Sequence, residues 1–122
     1  MAPRQPSEVR FLCADLVKLR WIDKRERGQE QVVVLENISV SGACVQSDVA
    51  IAENTRVSLD CRKQEFRGRV RSCYFRDDAY FVDIEFDADS RWSKAKFAPE
   101  HLLDPRKIKP RRSGNRSSSA RG

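Results

Sequence analysis

QEFRGRVRSCYFRDDAYFVDIEFD, spanning Gln64 to Asp87, alternates apolar and charged residues on both sides of a short acidic gap. Such period-two alternation, rich in Val, Phe, Tyr and Ile, marks two half-buried strands, Gln64 to Phe75 and Ala79 to Asp87. An antiparallel register that sets Gly68 against Phe86 also sets Val70 against Ile84, Ser72 against Val82 and Tyr74 against Tyr80, a mostly apolar face. The other face then pairs Arg67 with Asp87, Arg69 with Glu85 and Arg71 with Asp83. Each opposite-charge pair of this kind contributes a few tenths of a kcal/mol up to about 1 kcal/mol. A slip by one residue loses both matches. The remaining loop, Arg76-Asp77-Asp78, suits a type I turn followed by a left-handed residue, which Asp tolerates. The acidic partners also count against Arg67, Arg69 and Arg71 as a phosphate-binding stripe, and we read them as paired surface charges.

Outward from this hairpin the same grammar continues. Leu12 to Ile22 reads as a strand with Val17, Leu19 and Trp21 on one face and Lys18 and Arg20 on the other. Val32 to Glu36, Ala43 to Gln46 and Arg56 to Cys61 supply further short strands, and Asp23 to Gln29 is a charged hairpin loop containing Gly28. The expected fold is therefore all-β, a small antiparallel barrel. After Asp87 the pattern changes. Ser90 can cap a short helix through Phe97, and Pro99 can open a further turn that ends before Pro105. Trp92, Phe97, Leu102 and Leu103 would cover an open end of the barrel.

The 122 residues are the size of one domain, and the net charge is +6. Its distribution matters more than its value. From Pro105 onward there are seven basic residues (Arg106, Lys107, Lys109, Arg111, Arg112, Arg116, Arg121) and no acid, so the other 104 residues carry −1. Three segments follow: a flexible basic arm over 1–9, a barrel with a C-terminal helical segment over 10–104, and a disordered basic tail over 105–122. The tail is too poor in apolar residues to offset the entropy of ordering. It could bind nucleic acid only weakly and in a salt-sensitive way. The longest apolar run, Val32 to Leu35, is far short of the roughly 20 residues that cross a bilayer, and no signal-peptide core opens the chain. A cytoplasmic protein without membrane insertion is expected. Cys13, Cys44, Cys61 and Cys73 are widely spaced, and with only His101 beside them they predict no metal site. They read as reduced thiols acting as small apolar residues inside or beside a core. No nucleophile–base arrangement or phosphate-cradling glycine loop points to an enzyme, and no cofactor is implied.

Glu36-Asn37-Ile38-Ser39-Val40-Ser41-Gly42 interrupts the strand alternation with a polar cluster. Asn and Ser side chains in such a segment either bond their own backbone or face a ligand. Gly42 permits a backbone conformation or a close approach that a Cβ would block. At Asn37, Ser39 and Gly42 the sequence resembles the second motif of the bacterial PilZ family, Asp or Asn, any residue, Ser, any two residues, Gly. The strand hairpin before it and the Tyr80–Phe86 strand after it fit the same family, over about residues 6 to 104.

The resemblance implies a PilZ-like β-barrel that binds the second messenger cyclic di-GMP and signals through a protein partner. In that family two arginines separated by three residues lie before the first strand and clamp the nucleotide. Arg10 fits the second arginine, but Pro6 stands where the first belongs. Arg4 is a weaker substitute, at the wrong separation. The candidate ligand contacts are thus Arg10, Asn37, Ser39 and Gly42, with Arg4 and Ser41 weaker. The incomplete arginine pair also fits an adaptor that keeps the barrel, does not bind the nucleotide and acts by protein contacts.

Overall fold

The computed structural model describes residues 8–107. Six strands form a closed antiparallel barrel in the order β1-β2-β3-β6-β5-β4. They are β1 (Phe11–Ile22), β2 (Gly28–Ser39), β3 (Gly42–Ser47), β4 (Arg56–Cys61), β5 (Gln64–Arg76) and β6 (Ala79–Phe86). Closure by the β1–β4 ladder leaves no continuous free sheet edge. Leu19, Leu35, Leu59, Phe66, Val70, Val82 and Ile84 point into the barrel and are at most 1% exposed. Burying each such side chain stabilises the fold by about 1.5–3 kcal/mol relative to leaving it in water. The sequence places all six strands, with β2 and β3 longer than their apolar runs suggest. The proposed tail falls almost wholly on residues outside those described. The same is true of most of the N-terminal arm.

The β5–β6 register agrees with the charge pattern over its lower half and departs from it above. Gly68 faces Phe86, Arg69 faces Glu85 and Val70 faces Ile84, and Arg69 lies 3.6 Å from Glu85. Arg71 is then an extra residue, a bulge, after which Ser72 rather than Arg71 faces Asp83, and Tyr74 faces Phe81 rather than Tyr80. The turn is correspondingly tighter. Asp77 and Asp78, at φ 53° and 63°, close a two-residue loop between Arg76 and Ala79, and two successive positive φ values are what a hairpin of this twist requires. Arg71 and Arg67 do not form the expected ion pairs. Ser72 donates to Asp83 at 3.3 Å, and the Asp87 carboxylate takes Arg56 while its N–H donates to the Arg67 carbonyl at 2.8 Å.

The expected helix from Ser90 to Phe97 does not form. Ala88–Ser90 makes a single 3-10 turn, Arg91 returns to an extended conformation, and Lys96 and Phe97 donate to the Ser93 carbonyl in one isolated turn. Tertiary anchoring outweighs helix propensity in so short a segment. The Trp92 N–H donates to the Val40 carbonyl at 3.0 Å and its indole N–H to the Phe97 carbonyl at 2.8 Å. Trp92 packs on Phe11, with ring centroids 5.6 Å apart. The segment does cover one barrel end with buried Trp92 and Phe97, whereas Leu103 is half exposed and forms a short antiparallel bridge to Leu12.

At that end two glycines let neighbouring strands approach β6 closely. A Cβ on Gly42 would lie 2.3 Å from the Ile84 carbonyl oxygen, and one on Gly68 2.0 Å from that of Glu85. Both contacts are with backbone, which cannot swing aside. Gly68→Ala is expected to destabilise the barrel by at least about 1–3 kcal/mol, the usual penalty of overpacking, read as a lower urea midpoint at unchanged slope. An unchanged midpoint would show that β5 and β6 can separate at no cost.

Candidate functional site

Strict alternation along β2 would turn Asn37 inward, because Val33 and Leu35 are core residues. A bulge at Glu36 prevents this. Leu35 faces Val45 while Asn37 faces Cys44, so β2 carries one more residue than β3 across this interval. The inward parity switches from odd to even, Ile38 enters the core, and Asn37 turns to the outer face. A matching irregularity in β1 between Leu12 and Asp15 keeps that strand in step with β2. Register then sets Asn37, Cys44, Asp83 and Ser72 side by side across β2, β3, β6 and β5. The polar row depends on the bulge at Arg71 as well, since that bulge is what brings Ser72 opposite Asp83.

Arg10, immediately before β1, lies over this row. Its Nη1 donates to Asn37 Oδ1 at 2.6 Å and is 3.8 Å from Asp83 Oδ1. A hydrogen bond to a charged group contributes about 1.5–3 kcal/mol when shielded, and less where water reaches it. Cys44 lies beneath, almost fully covered. Burial pushes its thiol up to about 12, the neighbouring Asp83 adds to the shift and Arg10 opposes it. Cys13 and Cys61 are likewise pushed up to about 12 by burial. These three thiols stay protonated and unreactive at neutral pH.

The other candidate residues divide by role. Ser39 is completely buried, and its hydroxyl donates to the Gly42 carbonyl at 3.2 Å, so it closes the turn between β2 and β3 instead of reaching outward. Gly42 does serve a close approach, but to β6 and not to a ligand. Ser41 is available from the arm side. Its carbonyl accepts from the Phe86 N–H at 2.8 Å, and its own N–H donates to Glu8 Oε2 at 3.0 Å, while its hydroxyl donates to the same oxygen. Arg4 lies outside the described residues. The structure therefore brings Arg10, Asn37 and Ser41 to one surface, leaves Ser39 and Gly42 within the barrel wall, and adds Glu8 and Asp83, neither of which the sequence had marked. Only the acidic character of Glu8 within an otherwise basic arm could have signalled it.

Burial alone would push the Glu8 carboxyl up. Hydrogen bonds from the Ser41 hydroxyl and amide, with the Ser39 hydroxyl and Arg10 nearby, outweigh burial and hold the group below its ordinary 4.5. Because the docked state has the lower pKa, docking adds stability above about pH 4.5 and loses it as pH falls through the lowered value. The Ser41 amide resonance is expected to hold its position from neutral pH down to about 4.5 and to move on further acidification. Movement with a midpoint above 4.5 would contradict a docked carboxylate.

A concavity of about 930 Å³ opens at the opposite barrel end between Trp21, Lys24, Arg25, Ile51, Cys73 and Tyr80. The Asp23 carboxylate on its wall is taken up by the Arg25 and Arg27 amides and the Gln29 side chain, which is turn structure. No group of three or more His, Cys, Asp or Glu side chains among the described residues is placed to hold a metal. No helix among them is long and apolar enough to cross a membrane.

No protein-family model matches the chain, and no curated protein matches it in sequence. Among solved structures it is similar to the inhibitor of motility MotI/DgrA of Bacillus subtilis, at a TM-score of 0.50 and 13% identity. The similarity covers 77% of this chain and 47% of that one, so the chain spans about half the length of its structural neighbour. At that identity the likeness concerns the fold alone.

Proposed function

We propose that this chain is a non-catalytic PilZ-type effector that binds cyclic di-GMP through its N-terminal arm and the outer face of β2, and passes the signal to a protein partner. The observation that carries this reading is the 2.6 Å contact between Arg10 and Asn37. These are the arginine before the first strand and the outward residue of the Asn37-Ser39-Gly42 motif, the two elements to which the family resemblance assigns nucleotide contacts, far apart in sequence and in contact here. A guanidinium there can bond the O6 and N7 edge of guanine, stack on its plane or pair with a phosphate. The barrel shared with a protein named for inhibiting motility agrees with an output through another protein. Nothing in the reading requires catalysis, since the polar row holds no activated nucleophile.

Pro6 in place of the first arginine removes one charged clamp, and a loss of about 1.5–3 kcal/mol corresponds to tenfold to about 150-fold in affinity. Calorimetry of the full chain at near-physiological salt is expected to give binding at about 1–100 µM, weakened at least tenfold by Arg10→Ala and strengthened by Pro6→Arg. If neither the natural chain nor Pro6→Arg gives heat up to about a millimolar, the nucleotide reading fails. The competing reading of a barrel acting only by protein contacts would then stand, favoured already by the two carboxylates, Glu8 and Asp83, that share this surface.

A further inference from the structure

The contacts of Glu8 are those of a bound anion. Its carboxylate lies across a sequence separation of 33 residues on the turn between β2 and β3, where one oxygen accepts from both the N–H and the hydroxyl of Ser41. A backbone N–H, one or more hydroxyls and a nearby guanidinium form the donor set that recognises a phosphate oxygen as readily as a carboxylate. The turn is rigid enough to be a preformed site. Its Val40 and Ser41 carbonyls are held by the Trp92 and Phe86 N–H groups, and Ser39 is buried beneath it. A carboxylate free in water is well solvated and has no need of such partners, so its docking reflects the donors that the turn presents.

We infer that the Ser39–Ser41 turn is a phosphate-binding site which the chain fills with its own Glu8, and that a nucleotide phosphate must displace this carboxylate before Arg10 can close over the ligand. This rests on the proposed cyclic di-GMP reading for the identity of the nucleotide, though not for the anion site itself. Glu8 and Arg10 are two residues apart on the same arm, so the two events are mechanically linked: releasing Glu8 frees the segment that carries the clamp. Glu8 acts here as an internal competitor that raises the ligand concentration needed for occupancy. The lowered pKa of the docked carboxyl agrees with its being held as the anion.

The test uses full-length Glu8→Gln, which keeps size and removes the charge, alongside Glu8→Ala. Cyclic di-GMP is titrated by calorimetry, and inorganic phosphate is titrated while the Ser41 amide resonance is followed. Both variants are expected to bind the nucleotide about tenfold or more tightly than the natural chain. Phosphate is expected to move the Ser41 amide saturably in the variants and much less in the natural chain. Unchanged nucleotide affinity together with a Ser41 amide indifferent to phosphate in the variants overturns the inference. If no protein binds the nucleotide but phosphate still moves Ser41 in the variants, the anion site stands and the cyclic di-GMP reading falls. Loss of the folded amide pattern in Glu8→Gln would also overturn it, by making Glu8 a structural residue.

Discussion

β6 is held on both flanks by a glycine at the same level: Gly42 of β3 lies against the Ile84 carbonyl and Gly68 of β5 against that of Glu85. A side chain at either position would overlap a backbone oxygen. With both absent, three strands draw together at one barrel end, which fixes the turn Ser39 to Gly42 against β6 and lets the Phe86 N–H reach the Ser41 carbonyl. The Trp92 segment then seals this end by bonding Val40. The candidate surface is therefore built on a part of the wall where neighbouring strands cannot shift without breaking backbone hydrogen bonds.

Bulges convert this rigid wall into a site. β2 and β5 each gain one residue, at Glu36 and Arg71, and each gain reverses which side chains face inward above it. Without the first, Asn37 would be turned inward beside Val33 and Leu35, and Ile38 would face outward. Without the second, Arg71 would sit opposite Asp83 and neutralise it on the surface. With both, Asp83 is left to Ser72 and Arg10, and the row from Asn37 to Ser72 becomes continuous.

These bulges also mark where the sequence stops being legible. All six strands can be read from alternation alone, and the charge pairing correctly sets Gly68, Arg69 and Val70 against their partners. Beyond Val70 the two registers compete closely: one gains the Arg71–Asp83 ion pair, the other a two-residue turn and the stacked Tyr74 and Phe81 rings, 5.7 Å apart. Exposed ion pairs contribute little, and turn geometry prevails. Asp77-Asp78 is a weaker announcement of that turn than Asn-Gly would be. At the site, Arg10 and Asn37 can be named from the motif. Glu8 cannot, because its role exists only through a contact with Ser41 that no local pattern encodes.

The motif's three positions are also unequal in physical terms, which bears on how much a complete match says about binding. Ser39 closes a turn from a fully buried position and Gly42 makes room for β6, so both are demanded by the barrel whether or not a ligand binds. Asn37 alone turns to the surface. The arginine arm has the opposite character: Arg10 stands at the edge of the fold, before the first strand begins. A chain can thus keep the strand-borne motif intact under folding constraints while its arm varies under constraints of ligand affinity alone. The complete Asn37-Ser39-Gly42 pattern speaks chiefly for the barrel, and on the proposed nucleotide reading the affinity would be set by the charges on the arm, Arg10 as the clamp and Glu8 as the competing anion.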